Sequence, residues 1–215
     1  MSLPLLSTAY LPSIEYIAIL LRYGGAVIEI HETFPKQTYR NRCHIANSSG
    51  LLPLVIPVNK PNGNHTSTED ICISYHLPWN RTHWRSIEAA YNSSPFFLYY
   101  RDAFEPLYKQ HFDRLAEMNI AFLETILNLL KIDVSLSSSD SYCSSFPGLT
   151  DLRSEIHPKK PPFNLKLSDF SKYAQVFENE NGFLPNLSII DLLFNIGPEA
   201  KYYLEGIEKS IDREK

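Results

Sequence analysis

The sequence predicts an α/β fold: an N-terminal strand-rich sheet covered by helices, followed by a helical C-terminal half. A mixed α+β arrangement is the alternative. Three observations carry this. Short apolar runs bounded by turn residues recur between Leu3 and Tyr75, with one amphipathic stretch among them. Beyond Thr82 the apolar residues switch to the i, i+3, i+4 spacing of helices. With 44% apolar residues in 215, the chain can bury one ordinary core, so a single domain over residues 1–215 is expected.

Leu3 to Tyr10 reads as the first strand. Pro12 suits the first turn of a helix, where its missing N–H costs nothing. Ile14, Ile17, Ala18 and Leu21 line one face of that helix, and Gly24 and Gly25 end it. "AVIEIH" (Ala26 to His31) follows as a strand. "LLPLVIPV" (Leu51 to Val58) is a strand whose prolines place it at an edge or a bulge. "NKPNGNHTSTED" is a polar loop, and Ile71 to Tyr75 is a further short strand.

The helices come next. Thr82 to Tyr91 is the first of this group. Ser94-Pro95 resembles an N-cap followed by Pro, opening a helix that Pro106 should kink or divide. Asp113 to Lys131 has the clearest apolar stripe: Leu115, Met118, Phe122, Ile126 and Leu129. "SLSSSDSYCSSFPG" (Ser135 to Gly148) is read as irregular, and "HPKKPP" (His157 to Pro162) as a loop. Ser188 and Asp191 have capping-box spacing. Gly197 suits a C-cap, Pro198 opens the last helix, and a frayed tail is expected over 208–215.

Net charge is -4, which argues against a protein that works by general phosphate-backbone attraction, so no nucleic-acid partner is expected. Cys43, Cys72 and Cys143 are odd in number and lack C-x-x-C spacing. That fits neither a disulfide framework nor a thiolate zinc site and leads to a cytoplasmic expectation. The apolar N-terminus lacks a basic n-region and a cleavage site, and no stretch approaches the roughly 18 apolar residues of a membrane helix, so membrane insertion is not expected. G-x-G-x-x-G, G-x-x-x-x-G-K-[ST], H-E-x-x-H and G-x-S-x-G are all absent, so no cofactor and no metal is expected. Nothing in the sequence sets an oligomeric state.

Three clusters could carry chemistry. In "FPKQTYRNRCHI" (Phe34 to Ile45), an extended Tyr39–Ile45 would put Arg40, Arg42 and His44 on one face and Tyr39, Asn41, Cys43 and Ile45 on the other. Paired guanidiniums can grip phosphate or carboxylate oxygens; the alternative is the solvated side of a half-exposed strand. "SYHLPWNRTHWRSIEAAY" (Ser74 to Tyr91) holds Trp79, His83, Trp84 and Arg85. Aromatic faces beside Arg and His suit a sugar or nucleobase, with His83 as a general base; the alternative is a core anchor at a strand-to-helix junction. "STAYLPSIEY" (Ser7 to Tyr16) runs from a strand into a helix N-terminus, with Ser7, Thr8 and Tyr10 at its mouth. It is either an anion seat or ordinary turn chemistry.

Together "FPKQTYRNRCHI", "LPLVIPV", "ISYHLPWNRTHWRSIEAAYNSSPFF" and "FLPNLSIIDLLFNIGPEA" resemble the WbqC-like protein family, over about Leu5 to Leu204. The matching positions are Tyr39 to Arg42, then Trp79, His83, Trp84 and Tyr91, then Asn186, Ser188 and Asp191. The resemblance implies a bacterial cytoplasmic protein of O-antigen or other surface-polysaccharide synthesis, of a family described as presumed transferases. It brings no established catalytic residue, and the serine-rich segment departs from longer members. The expected ligand is a small molecule, with a nucleotide sugar as one candidate. Arg40 and Arg42 would hold its diphosphate, Trp79 and Trp84 its sugar or base, and His83 would take the proton.

Overall fold

The computed structural model describes residues 2–144 and 147–211. It opens with β1 (Pro4–Ser7), α1 (Ile14–Tyr23) and β2 (Gly25–Glu29), a parallel strand–helix–strand unit. Ser13, extended at φ -69° and ψ 162°, is the N-cap of α1, and its hydroxyl accepts the Tyr16 N–H. Pro12 therefore lies just outside the helix instead of in its first turn, and its carbonyl accepts the Ile189 N–H at 2.8 Å. Gly24, at φ 69°, ends α1 with a left-handed cap. Gly25 does not belong to that cap. It starts β2 at φ 157°, where a Cβ would stand 2.2 Å from the Ser135 carbonyl oxygen.

A single helical turn over Tyr39–Asn41 leads into β3 (Arg42–Asn47), which pairs antiparallel with β4 (Gly50–Val55). Pro53 is tolerated because β4 pairs on one side only. β5 (Val58–Asn59) and β6 (Cys72–Ile73) form a second short ladder. Then come α2 (Trp79–Tyr91), α3 (Phe97–Lys109) and α4 (Leu115–Leu130). Ser94 does not cap α3; its hydroxyl donates to the Tyr91 carbonyl at 2.7 Å and closes α2 instead. α3 continues through Pro106 without dividing. On α4, Leu115, Met118, Phe122 and Ile126 are buried as the stripe predicts, and Leu129 is half-buried at its edge.

The serine-rich segment corrects the sequence reading. β7 (Ser135–Ser138) pairs parallel with β2, and β8 (Thr150–Asp151) pairs parallel with β1. The last helices are α5 (Glu178–Asn181), α6 (Ile189–Ile196) and α7 (Ala200–Ser210). α7 extends into the start of the tail expected to fray. Ile211 after it is buried, and Glu208 pairs with Arg22 at 2.8 Å; 212–215 lie outside the described residues. Ser188 holds the N-cap position of α6, but no capping box forms. Its hydroxyl donates to the Leu11 carbonyl, and Asp191 accepts from Tyr91 Oη (2.9 Å), Tyr173 Oη (2.6 Å) and Gln175 Nε2 (3.0 Å).

The main sheet thus has the all-parallel order β7-β2-β1-β8. The chain steps outward from β1 to β2 to β7, then returns to the far side of β1. In open parallel sheets such a reversal opens a crevice outside the carboxyl ends of the strands, where ligands bind. Among the described residues no helix is long and apolar enough to cross a membrane.

Candidate functional site

The reversal between β1 and β8 is lined by charge. Ser7 ends β1, Glu29 ends β2 and Glu32 follows it; Asp151 ends β8 and Arg153 follows. A cleft of about 430 Å³ opens here, bounded by Glu32, Lys36, Arg40, Tyr142, Arg153 and His157. Its volume lies in the range of small-molecule sites, roughly 300–1,000 Å³.

Arg40 is the anchor. The turn at Tyr39–Asn41 takes it out of the strand alternation that the sequence suggests, so Arg40 does not share a face with Arg42 and His44. It is 4% exposed. Its Nε donates to Glu32 Oε1 at 3.0 Å, and its Nη2 contacts Glu32 Oε1 and Ser7 Oγ. Among the described residues its hydrogen bonds run through Nε and Nη2 and none through Nη1, and the side chain lines the cleft. Asn119 of α4 fixes the backbone below, donating to the Arg40 carbonyl at 2.7 Å and to Thr8 Oγ1 at 2.5 Å. Burial lowers the Arg40 pKa and Glu32 opposes that; an arginine stays protonated regardless.

Arg153 forms the opposite wall. It forks onto Asp151, with Nη2 to Oδ2 at 2.6 Å and Nε to Oδ1 at 3.0 Å, and lies 3.5 Å from the buried Glu29 carboxylate. The hydrogen bond from Arg153 holds the Asp151 carboxyl below its usual range. Glu29 in turn accepts from the His31 N–H (2.6 Å) and Ser139 Oγ (3.0 Å), so the residue just after β7 helps build the site.

The loop carrying His157 closes over the turn at Arg40, where Lys159 Nζ donates to Gln37 Oε1. Burial, then the positive charges of Lys160, Lys159, Arg40 and Arg42, lower the His157 pKa. Its Nδ1 accepts the Lys159 N–H at 3.1 Å, so the neutral ring carries its proton on Nε2, as a donor. "FPKQTYRNRCHI" and "HPKKPP", far apart in the chain, form one basic rim.

The other residues singled out in the sequence lie elsewhere. Tyr10, Trp79, His83 and Trp84 are buried together. Tyr10 Oη lies 3.1 Å from His83 Nδ1 and 2.6 Å from Tyr108 Oη, and the Trp79 ring centroid lies 5.2 Å from that of His83. None of the four lines the cleft. Burial drives the His83 pKa down to about 4, against a backbone hydrogen bond at Val55. Its ring is therefore expected to stay neutral from pH 5 to 8, with imidazole proton shifts in an NMR titration moving only near pH 4; a midpoint near 6.5 would mean that water reaches the ring. Arg85 is exposed on α2. Asn41 pins β4, donating from Nδ2 to the Ile56 carbonyl at 2.8 Å. Tyr39 lines a small cavity beside Ser7 and Arg40, its ring 5.6 Å from that of His44. Arg42 and His44 are half-buried along β3.

The arrangement that unites "FPKQTYRNRCHI", the buried aromatic cluster and the α6 segment also marks a lineage. Residues 8–156 and 159–203 match the WbqC-like protein family. The chain belongs to that family. This WbqC-like chain is also 26% identical, over 218 residues, to "Uncharacterized protein Rv1507c" of Mycobacterium tuberculosis (strain ATCC 25618 / H37Rv), a match covering 91% of this chain and 94% of that one. No solved structure matches. Glu32, Tyr142, Arg153 and His157 of the cleft, and the buried Glu29 beside Arg153, are residues the sequence reading missed. The signal was the D-x-R of "TDLRS", which gains meaning only once Thr150–Asp151 is recognised as a strand end beside β1.

Proposed function

We propose that this protein binds a nucleotide-linked sugar in the cleft between β1 and β8 and, as a cytoplasmic transferase, adds a group to it during bacterial surface-polysaccharide synthesis. The observation that carries the reading is Arg40. Its guanidinium is held by Glu32 and Ser7 on one side and lines the cleft on the other, with Nη1 unpartnered among the described residues. Such a pre-oriented cation recognises a phosphate oxygen without the cost of ordering a long side chain. Lys36 and the Nε2–H of His157 add a second cation and a donor on the same rim. The family resemblance supplies the sugar and the pathway.

A second reading is binding without turnover in the same pathway. It is favoured by the burial of His83 and by the His157 lone pair already engaged by the Lys159 N–H, so neither imidazole stands ready as a base. One experiment addresses both readings. A nucleoside diphosphate sugar at about 100 times its Kd should stabilise the protein by about 2.7 kcal/mol. Lys36→Ala and His157→Ala, both outside the core, should each weaken binding about tenfold, near 1.4 kcal/mol, without lowering the ligand-free Tm. Unchanged affinity in both variants would place the ligand elsewhere. Turnover in the presence of an acyl or aminoacyl donor then separates enzyme from binder.

A further inference from the structure

The cleft's basic rim explains an anion but not what distinguishes one phosphate compound from another. Apart from the imidazole of His157, the aromatic ring among its lining residues is Tyr142, in the serine-rich segment. Tyr142 is 58% exposed, unusual for a large ring against a cleft, and its hydroxyl has no partner among the described residues. The Arg153 guanidinium sits over the ring, 5.8 Å from its centroid. Arg153 is itself fixed by Asp151, and it donates to the carbonyls of Cys143 (3.2 Å) and Ser144 (3.3 Å), the residues that follow Tyr142. One side chain therefore both closes the wall of the phosphate cleft and sets the backbone that presents the ring. A cation on one face of the ring leaves the other face for a flat partner, and an arginine beside a tyrosine is the pairing that stacks nucleobases.

We propose that Tyr142 is the stacking platform for the base of a nucleoside diphosphate whose phosphates face Arg40, Lys36 and His157. This rests on the cleft reading above and adds to it the residue that reads the nucleoside end. The serine-rich segment thereby acquires two roles: Ser139, just after β7, buttresses Glu29, and the stretch that follows holds the ring.

The test uses the full chain and calorimetric titration with uridine diphosphate, adenosine diphosphate, inorganic pyrophosphate and glucose 1-phosphate. Tyr142→Ala should lower affinity for the nucleoside diphosphates between about fivefold and a hundredfold and leave pyrophosphate unchanged. Tyr142→Phe, which keeps the ring, should bind as the wild type does. Nucleoside-diphosphate affinity unaffected by Tyr142→Ala overturns the proposal. So does an equal loss for pyrophosphate, which would mean that the ring acts through Arg153, and so does a loss confined to glucose 1-phosphate, which would mean that it stacks a sugar. Lys36→Ala should weaken every ligand including pyrophosphate. If it does while Tyr142→Ala changes nothing, the cleft reading stands and the stacking role falls. If the wild type binds no nucleoside diphosphate, both fall.

Discussion

Arg40→Met is expected to cost about 3–5 kcal/mol of folding stability, the range for removing one partner of a buried ion pair. The side chains of Arg40 and Glu32 are 5% and 13% exposed, so the Glu32 carboxylate left behind has little water to replace the lost guanidinium. Ser7 Oγ can still donate to Glu32 Oε1, from 3.0 Å, but a neutral hydroxyl does not balance the charge. Adding Glu32→Gln to Arg40→Met removes the stranded charge and should restore at least half of the loss. The double variant is the informative one for function. It should fold yet bind no nucleoside diphosphate tightly, because the unpartnered Nη1 has gone. Urea denaturation gives the stabilities, and the titrations above give the affinities. A single variant as stable as the wild type would show that Glu32 is solvated; a double variant that binds normally would remove Arg40 from the ligand site.

The same arginine shows what the sequence carried. Charge clustering in "FPKQTYRNRCHI" was visible, and so was the alternation that begins at Arg42. The turn at Tyr39–Asn41 was not, because its local anchor, the Thr38 hydroxyl accepting the Arg40 N–H at 3.4 Å, is long and weak. It is held mainly by distant groups: Asn119 on the Arg40 carbonyl and the Tyr10 N–H on the Tyr39 carbonyl at 2.9 Å. The helices of the C-terminal half were legible because periodicity is a local property. β7 and β8 were not, because short parallel strands at sheet edges are defined by backbone pairing with residues more than a hundred positions away, and a run of serines has no apolar alternation to betray it. Ser188 and Asp191 illustrate a further limit. Their spacing was that of a local cap, but burial against Leu11, Tyr91 and Tyr173 offered both side chains tertiary partners instead. The candidate site inherits these limits, since Arg153 and Glu29 come together only through the sheet order.

Glu15→Gln should abolish a pH dependence of stability worth about 3 kcal/mol. Glu15 lies in the first turn of α1 and is 2% exposed. Its Oε1 accepts the Phe163 N–H and its Oε2 the Asn186 Nδ2 at 3.0 Å, while Asn186 Oδ1 accepts the Glu15 N–H at 2.9 Å. Burial nonetheless raises its pKa from 4.5 to about 7, against the two hydrogen bonds that lower it. Between those values the folded chain holds a proton that the unfolded chain has lost. Stability therefore falls as pH rises from about 4.5 to about 7, and the penalty is complete above that. The glutamine cannot ionise, so the slope disappears. Its amide meets the Asn186 amide donor to donor, a constant cost of about 1 kcal/mol at every pH. The variant should thus be the less stable protein at pH 5 and the more stable one at pH 8. The histidines with lowered pKa, His44, His83 and His157, contribute equally to both proteins and cancel in the difference. Urea melts of the pair at both pH values decide the matter, and a difference that does not vary with pH would show that Glu15 is already ionised at pH 5. Because Phe163 follows the loop that brings His157 to the cleft, and the ionised carboxylate is the stronger acceptor for its N–H, charging Glu15 tightens the tether of that rim, and nucleoside-diphosphate affinity should depend less on pH in the variant than in the wild type.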